Sequence, residues 1–121
     1  MKALHVTTHI NIGGISKYIL LLSSALKAEG VMCVVASSGG NLEAEFLKNG
    51  IGLRAIDIKT KFELGPKVFK SAFQIAGIIK NDKIDIVHAH SRVSQVACRI
   101  ACGLTGRPLV TTCHGYFRKR L

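Results

Sequence analysis

The chain alternates short apolar blocks with longer segments in which apolar residues recur every three or four positions. The strand-like blocks are residues 3–7, 31–36, 53–58, 84–90 and 109–113. Strands that alternate with amphipathic helices form right-handed crossovers and a parallel sheet covered on both faces. We therefore predict one α/β domain over residues 1–121, a three-layer, doubly wound Rossmann-like parallel sheet with the strand order 3-2-1-4-5.

Residues that favour helix ends mark the helices between these blocks. Gly30 and Gly50 suit the C-terminal ends of the first two helices, and Asn41 suits the N-terminal cap of the second. Pro66 suits the first position of the third helix, and Ser91 the cap of the fourth. The positions expected to face the sheet are Ile15, Tyr18, Ile19, Leu22, Ala25 and Leu26 in the first helix, Val68, Ala72, Phe73, Ile75, Ala76 and Ile79 in the third, and Val93, Val96, Ala97, Ile100, Ala101 and Leu104 in the fourth.

The charge balance predicts an anionic partner. Seventeen lysines and arginines against seven acidic residues give a formal net charge of +10. This excess suits a nucleotide diphosphate, an acidic membrane surface or a nucleic acid. Because a nucleic-acid role would rest on charge alone, without a recognition motif, we expect no nucleic-acid partner.

Compartment and redox state follow from what the chain lacks. No apolar run approaches the length of a membrane span, and the first residues do not have the pattern of a signal peptide. The four cysteines, Cys33, Cys98, Cys102 and Cys113, show no C-x-x-C spacing and fall in or beside apolar blocks. We expect reduced, buried thiols in a cytoplasmic protein.

A glycine pair, Gly13-Gly14, separates the first strand from the first helix. A helix that starts there presents backbone N–H groups and the positive end of its dipole, which together favour an anion. The pair has neither the G-x-G-x-x-G spacing of dinucleotide-binding domains nor the spacing of a P-loop. A redox cofactor and ATP hydrolysis are therefore disfavoured.

Histidines are expected to gather at one edge of the sheet. In the order 3-2-1-4-5 the loops at residues 9–14, 88–92 and 113–116 meet beyond the carboxyl ends of the central strands. That edge would hold His9, His88, His90 and His114, whereas His5 is expected to lie elsewhere. Each ring has a purely structural alternative, a hydrogen bond to a backbone carbonyl. Zinc binding by these four rings would lack an obvious acidic or thiol partner, so we predict no metal site.

Three stretches together resemble the amino-terminal domain of GT-B retaining glycosyltransferases of family 4. They are the Gly-Gly loop, D-I-V-H-A-H-S at residues 85–91 and V-T-T-C-H-G at residues 110–115. The resemblance implies transfer of a sugar from a nucleotide-sugar donor to an acceptor such as a lipid or polysaccharide precursor, as in cell-envelope polysaccharide biosynthesis. It also implies chemistry without a metal or a bound cofactor.

The resemblance further assigns roles to individual residues. Gly13 and Gly14 would approach the donor diphosphate, and His114 would be the catalytic residue beside the transferred sugar. The residues implied to face the acceptor are His9, His88, His90, Ser91 and Arg92. Because this family retains the stereochemistry of the sugar, His114 is expected to position and stabilise charge rather than to act as a simple general base.

Family members are much longer, and their carboxyl-terminal domain carries the main nucleotide pocket. We therefore interpret residues 1–121 as an incomplete amino-terminal, acceptor-side half that lacks the donor-binding domain and is inactive alone. The alternative is a stand-alone nucleotide- or phosphate-binding Rossmann-like module without catalysis.

Two surfaces are predicted to make further contacts. The fifth strand would leave an uncovered sheet edge, which favours a homodimer. A basic and aromatic surface is a candidate for docking on the inner face of an anionic membrane, but a solvated helix face with its aromatic residues in the core is the favoured interpretation. The residues of that surface are Lys59, Lys61, Phe62, Lys67, Phe69, Lys70 and Phe73.

Overall fold

The computed structural model describes residues 1–58 and 66–112. The strands are β1 (Lys2–Val6), β2 (Met32–Ser37), β3 (Gly52–Ala55), β4 (Ile86–Ala89) and β5 (Leu109–Thr111). The helices are α1 (Gly14–Ala28), α2 (Glu43–Lys48), α3 (Pro66–Asn81) and α4 (Arg92–Thr105). All strand pairs are parallel, and the sheet order is β3-β2-β1-β4-β5. The predicted fold class and strand order are confirmed.

Two apolar cores lie on opposite faces of the sheet. Leu4 and Val6 of β1 belong to the core that contains α3 and α4, and Ala3 of the same strand belongs to the core that contains α1 and α2. Side chains of a strand alternate between the two faces, so a strand buried on both sides is apolar throughout. This explains the continuous apolar blocks of the sequence.

Most of the predicted helix ends are confirmed. Ser91 caps α4 through a reciprocal capping box with Ser94, and α3 begins at Pro66. Gly30 and Gly50 adopt φ values of +89° and +75° just after their helices, a conformation that favours glycine.

The predicted cap at Asn41 is wrong. The residue before α2 is Leu42, and no described side chain caps this helix. The Asn41 amide oxygen instead accepts a hydrogen bond from the backbone N–H of Ile12, at 2.8 Å. Asn41 therefore joins the β2–α2 connection to the loop that follows β1.

Four predicted core positions are also wrong. Tyr18, Phe73 and Leu104 are 41%, 65% and 58% exposed, and Ala25 is exposed as well. Each lies at the margin of its apolar stripe, and the helix presents only the centre of the stripe to the sheet. On α1 the buried centre includes two small hydroxyl side chains, Ser16 and Ser23.

Three predicted strands are longer than those observed. The block at residues 109–113 continues past β5, which ends at Thr111. The block at residues 53–58 continues past β3, but its last residues are held by the Ser38 hydroxyl, which donates to the Ile56 carbonyl and accepts from the Ile58 N–H. The block at residues 84–90 extends beyond β4 at both ends. Ile84 and His90 are nevertheless buried, so the apolar block correctly marks burial rather than strand length.

The described cysteines, Cys33, Cys98 and Cys102, are buried free thiols, as predicted. Cys113 lies outside the described residues. Among residues 1–58 and 66–112, no helix combines the length and the apolar character needed to cross a bilayer.

Candidate functional site

The loop after β1 is held firmly against the loop after β2. The backbone N–H of Asn41 donates to the Asn11 side-chain oxygen at 3.0 Å, and the backbone N–H of Ile10 donates to the Gly39 carbonyl at 3.1 Å. Gly40 lies against the Ile10 backbone, so closely that any Cβ at residue 40 would overlap it. These contacts set the position from which α1 starts.

Gly13 and Gly14 lie exposed at the start of α1, and no described side chain caps this helix. Gly13 has extended backbone, and neither residue has the positive φ that favours glycine. A Cβ at Gly14 would meet nothing within 4 Å, and one at Gly13 would meet only the Asn11 carbonyl oxygen, at 3.8 Å. The contacts of this domain therefore do not explain why two glycines stand here.

Three histidines form a cluster between the central strands and α1. His5 of β1 and His88 of β4 are paired neighbours in the parallel register, and His90 follows β4 on the same face. The His88 and His90 rings stack with their centroids 3.9 Å apart, and the His5 ring lies 5.3 and 5.2 Å from them. Tyr18 of α1 places its ring edge-on to His90, at 6.0 Å.

The expectation that His5 lies apart from the other histidines is therefore wrong. β1 and β4 are neighbours, as predicted, but the register between them is what brings His5 beside His88. The sequence contains the signal, since His5 and His88 both sit inside strand-like blocks. Because ligands of such sheets bind beyond the strand ends, the prediction included only histidines expected in the loops, and His5 lies within a strand.

His5 is the most unusual titratable group of the cluster. Its Nδ1 and the Nε2 of His90 share a hydrogen bond of 3.0 Å. Its own Nε2 is buried and has no hydrogen-bond partner among the described residues. Burial, followed by the nearby His88, lowers the pKa of His5 to about 4, so the ring is neutral at neutral pH.

The other predicted acceptor residues lie around this cluster. His90 is buried, His88 is half-buried and contacts the Thr112 hydroxyl, and His9 and Arg92 are exposed. The Ser91 hydroxyl accepts hydrogen bonds from Thr8 Oγ1 and from the backbone N–H of Ser94, at 3.0 and 3.3 Å. His114, together with the loop at residues 113–116, lies outside the described residues.

A cleft that sequence reasoning missed opens beside the first loop. It lies beyond the carboxyl ends of β2 and β3 and has a volume of about 400 Å³. Its lining residues are Ile10, Ser37, Ser38, Gly39, Glu43, Leu47, Leu53, Arg54 and Ala55. No compact motif links these residues in sequence, and only the fold brings them together.

A parallel sheet in the order 3-2-1-4-5, with a glycine pair at the first crossover and polar side chains beyond the central strands, defines a doubly wound Rossmann-like domain. The sequence model of Glycosyltransferase Family 4 matches residues 12–121. The chain belongs to this family. A search of curated protein sequences finds no match.

Solved structures with similar coordinates include glycosyltransferases and UDP-N-acetylglucosamine 2-epimerases. A glycosyltransferase from Rickettsia africae is 28% identical with a TM-score of 0.80, and the alignment covers 96% of this chain and 30% of that protein. HepE from Anabaena, solved with UDP and glucose, is 19% identical with a TM-score of 0.70, over 95% and 30% of the two chains. MurG from Acinetobacter baumannii is 20% identical with a TM-score of 0.69, over 91% and 34%. The chain thus spans about a third of each structure, and the fold it shares is that of their amino-terminal part.

Proposed function

We propose that this domain forms the acceptor side of a retaining glycosyltransferase. In the full-length enzyme it would help to transfer a sugar from a nucleotide-sugar donor to a lipid or polysaccharide precursor. Family membership supports the reaction class. The observation that carries the assignment to this site is the unexplained glycine pair at the exposed start of α1, the helix whose Tyr18 ring contacts His90 after β4.

The glycine pair suits a diphosphate. Glycine in a helix costs up to about 1 kcal/mol relative to alanine. Gly14 is the first residue of α1, and neither a positive φ nor a tight contact inside the domain requires glycine there. A reason outside the domain is the close approach of a ligand to the backbone, where the N–H groups of the first turn and the helix dipole stabilise negative charge.

The acceptor would contact the exposed groups of the β4–α4 turn. Arg92 has an exposed side chain there, and Ser91 caps α4 and bonds to Thr8 of the loop after β1, where His9 is also exposed. His88 and His90 lie deeper and would support this surface from beneath. His114 would position the sugar and stabilise charge in the transition state; this role comes from the family resemblance.

The chemistry proposed needs no metal or bound cofactor. A helix N-terminus and basic side chains can stabilise a departing diphosphate, and imidazoles can orient an acceptor hydroxyl. We place the enzyme in the cytoplasm, with peripheral contact to the inner face of an anionic membrane. The exposed rings of Phe69 and Phe73 on α3 support that contact, although Lys70 beside them is paired with Asp57.

Calorimetry with UDP- and GDP-sugars tests the function. We expect weak binding by the 121-residue chain and no sugar transfer, because the chain spans about a third of the similar structures and the family resemblance assigns the main nucleotide pocket to the carboxyl-terminal part. In a full-length enzyme, Gly14→Ala should leave folding intact and lower donor affinity, whereas Gly77→Ala on α3, where a Cβ also meets nothing, should change neither. Tight nucleotide binding by the chain alone would favour a stand-alone binding module instead.

Membrane contact is tested separately by co-sedimentation with lipid vesicles. The chain should sediment with anionic vesicles and not with neutral ones, and Phe73→Asp should reduce the bound fraction. Leu21→Asp changes an equally exposed side chain on α1 and serves as the control. Equal sedimentation of the Phe73→Asp variant and the unmodified chain would rule out this surface.

A further inference from the structure

The histidine cluster has the composition and spacing of a metal site. His5, His88 and His90 each offer one nitrogen, and these atoms lie within 4.8 Å of one another. We propose that the three imidazoles bind a single first-row divalent cation of the zinc class, in a structural role. This inference does not depend on the proposed sugar transfer, in which no metal takes part.

The facing nitrogens of His5 and His90 can both become metal ligands. A neutral imidazole carries one proton, so either His5 or His90 supplies the proton of their 3.0 Å contact. Tautomerisation moves that proton to the far nitrogen of its ring, which leaves a lone pair on both facing nitrogens. The Nε2 of His5, which has no hydrogen-bond partner among the described residues, then carries the proton of that ring.

The distances between the candidate ligand nitrogens are compatible with a tetrahedral zinc site. Zinc–nitrogen bonds of about 2.0–2.1 Å place neighbouring ligand nitrogens about 3.3 Å apart. Here the Nδ1 of His5 and the Nε2 of His90 are 3.0 Å apart, and the candidate ligand nitrogens of all three rings lie within 4.8 Å of one another. The contact of His88 with the Thr112 hydroxyl resembles the outer contacts that orient metal-binding histidines.

The ligand set selects the class of cation. Imidazole nitrogens suit zinc, copper, nickel and cobalt, whereas magnesium and calcium prefer oxygen. A cation here would join β1 to the end of β4, which are neighbouring central strands. Its expected effect is therefore on stability, which can be measured without an enzyme assay.

Cobalt binding tests the proposal, because Co²⁺ in a tetrahedral site absorbs visible light. The parent protein is the full chain with His9→Gln and His114→Gln, so that the cluster holds its only histidines. We expect one Co²⁺ per chain, visible absorption without a thiolate charge-transfer band, displacement by Zn²⁺, and a melting temperature that rises with Zn²⁺ concentration.

The matched variant adds His88→Gln to this parent, since His88 is the least buried of the three. It should stay folded by circular dichroism and bind Co²⁺ at least about tenfold more weakly. If His88→Gln unfolds the chain, the cobalt stoichiometry and spectrum of the parent decide alone. A folded parent that binds no Co²⁺, a thiolate band, or equal affinity in the folded His88→Gln variant would overturn the proposal.

Discussion

Gly40 and Ile10 touch backbone to backbone, and this contact joins the loop after β2 to the loop that leads into α1. A Cβ at residue 40 would overlap the Ile10 carbonyl group and lie 2.6 Å from the Asn11 nitrogen. Because backbone atoms cannot rotate away, one of the two loops would have to move.

We therefore expect Gly40→Ala to lower the free energy of unfolding by about 1–3 kcal/mol, the usual cost of overpacking. Urea denaturation of the variant and of the unmodified chain measures this difference in the free energy of unfolding. Gly77→Ala, inside α3 and with open space around the new Cβ, should instead be neutral or stabilise by up to about 1 kcal/mol. Equal stability of the Gly40→Ala variant and the unmodified chain would contradict the contact.

Ser91→Ala should destabilise the start of α4. It removes the acceptor of the Ser94 N–H and of the Thr8 hydroxyl, which leaves both donors without that partner. Loss of such a cap costs about 1 kcal/mol, so the melting temperature should fall by about 5 °C. Ser24→Ala, within α1, is the control and should change stability by less than about 0.5 kcal/mol. Equal melting temperatures for the two variants would count against the capping box.

Cys98 should resist alkylation in the folded chain. Burial, and then the neighbouring Cys102, raise the pKa of the Cys98 thiol well above its usual range. The reactive thiolate is therefore scarce at neutral pH, and the side chain is inaccessible. Peptide mapping after iodoacetamide treatment should show Cys98 modified only after denaturant is added. Modification at the same rate with and without denaturant would contradict its burial.

The outer edge of β5 should mediate self-association. Within the described part of the chain β5 pairs with β4 alone, which leaves its other edge open. Sedimentation equilibrium should show concentration-dependent dimers, and Val110→Lys should weaken them because charge on an edge strand disfavours pairing. Leu21→Lys changes an exposed side chain of α1 and should leave the dimers unchanged. A monomeric wild-type chain at high concentration would refute this prediction.

The sequence predicted the architecture well because its signals are local. Apolar blocks, glycines after helices and a serine before α4 each depend on a few neighbouring residues, and the parallel order follows from their alternation. Positions that depend on packing were predicted less well. Phe73 satisfies the helical period but lies outside the sheet contact, and Asn41 bonds to the preceding loop rather than to its own helix.

The candidate site was predicted only in part. The residues before α1 and at the β4–α4 turn were identified correctly as neighbours of the central strand ends. The place of His5 depends on the register between two strands that are more than eighty residues apart, and no local pattern specifies register. The cleft at β2 and β3 depends on the same kind of long-range arrangement.

The pairing of β1 with β4 also dictates when the molecule can finish folding. His5 meets His90 across 85 positions of the chain, so a ribosome must release nearly three quarters of the 121 residues before the two rings can touch. Until then, the edge of β1 that pairs with β4 has no partner strand. A nascent polypeptide halted before residue 86 would therefore expose the unpaired backbone N–H and C=O groups of β1. A chaperone that binds extended strands would have a binding site there.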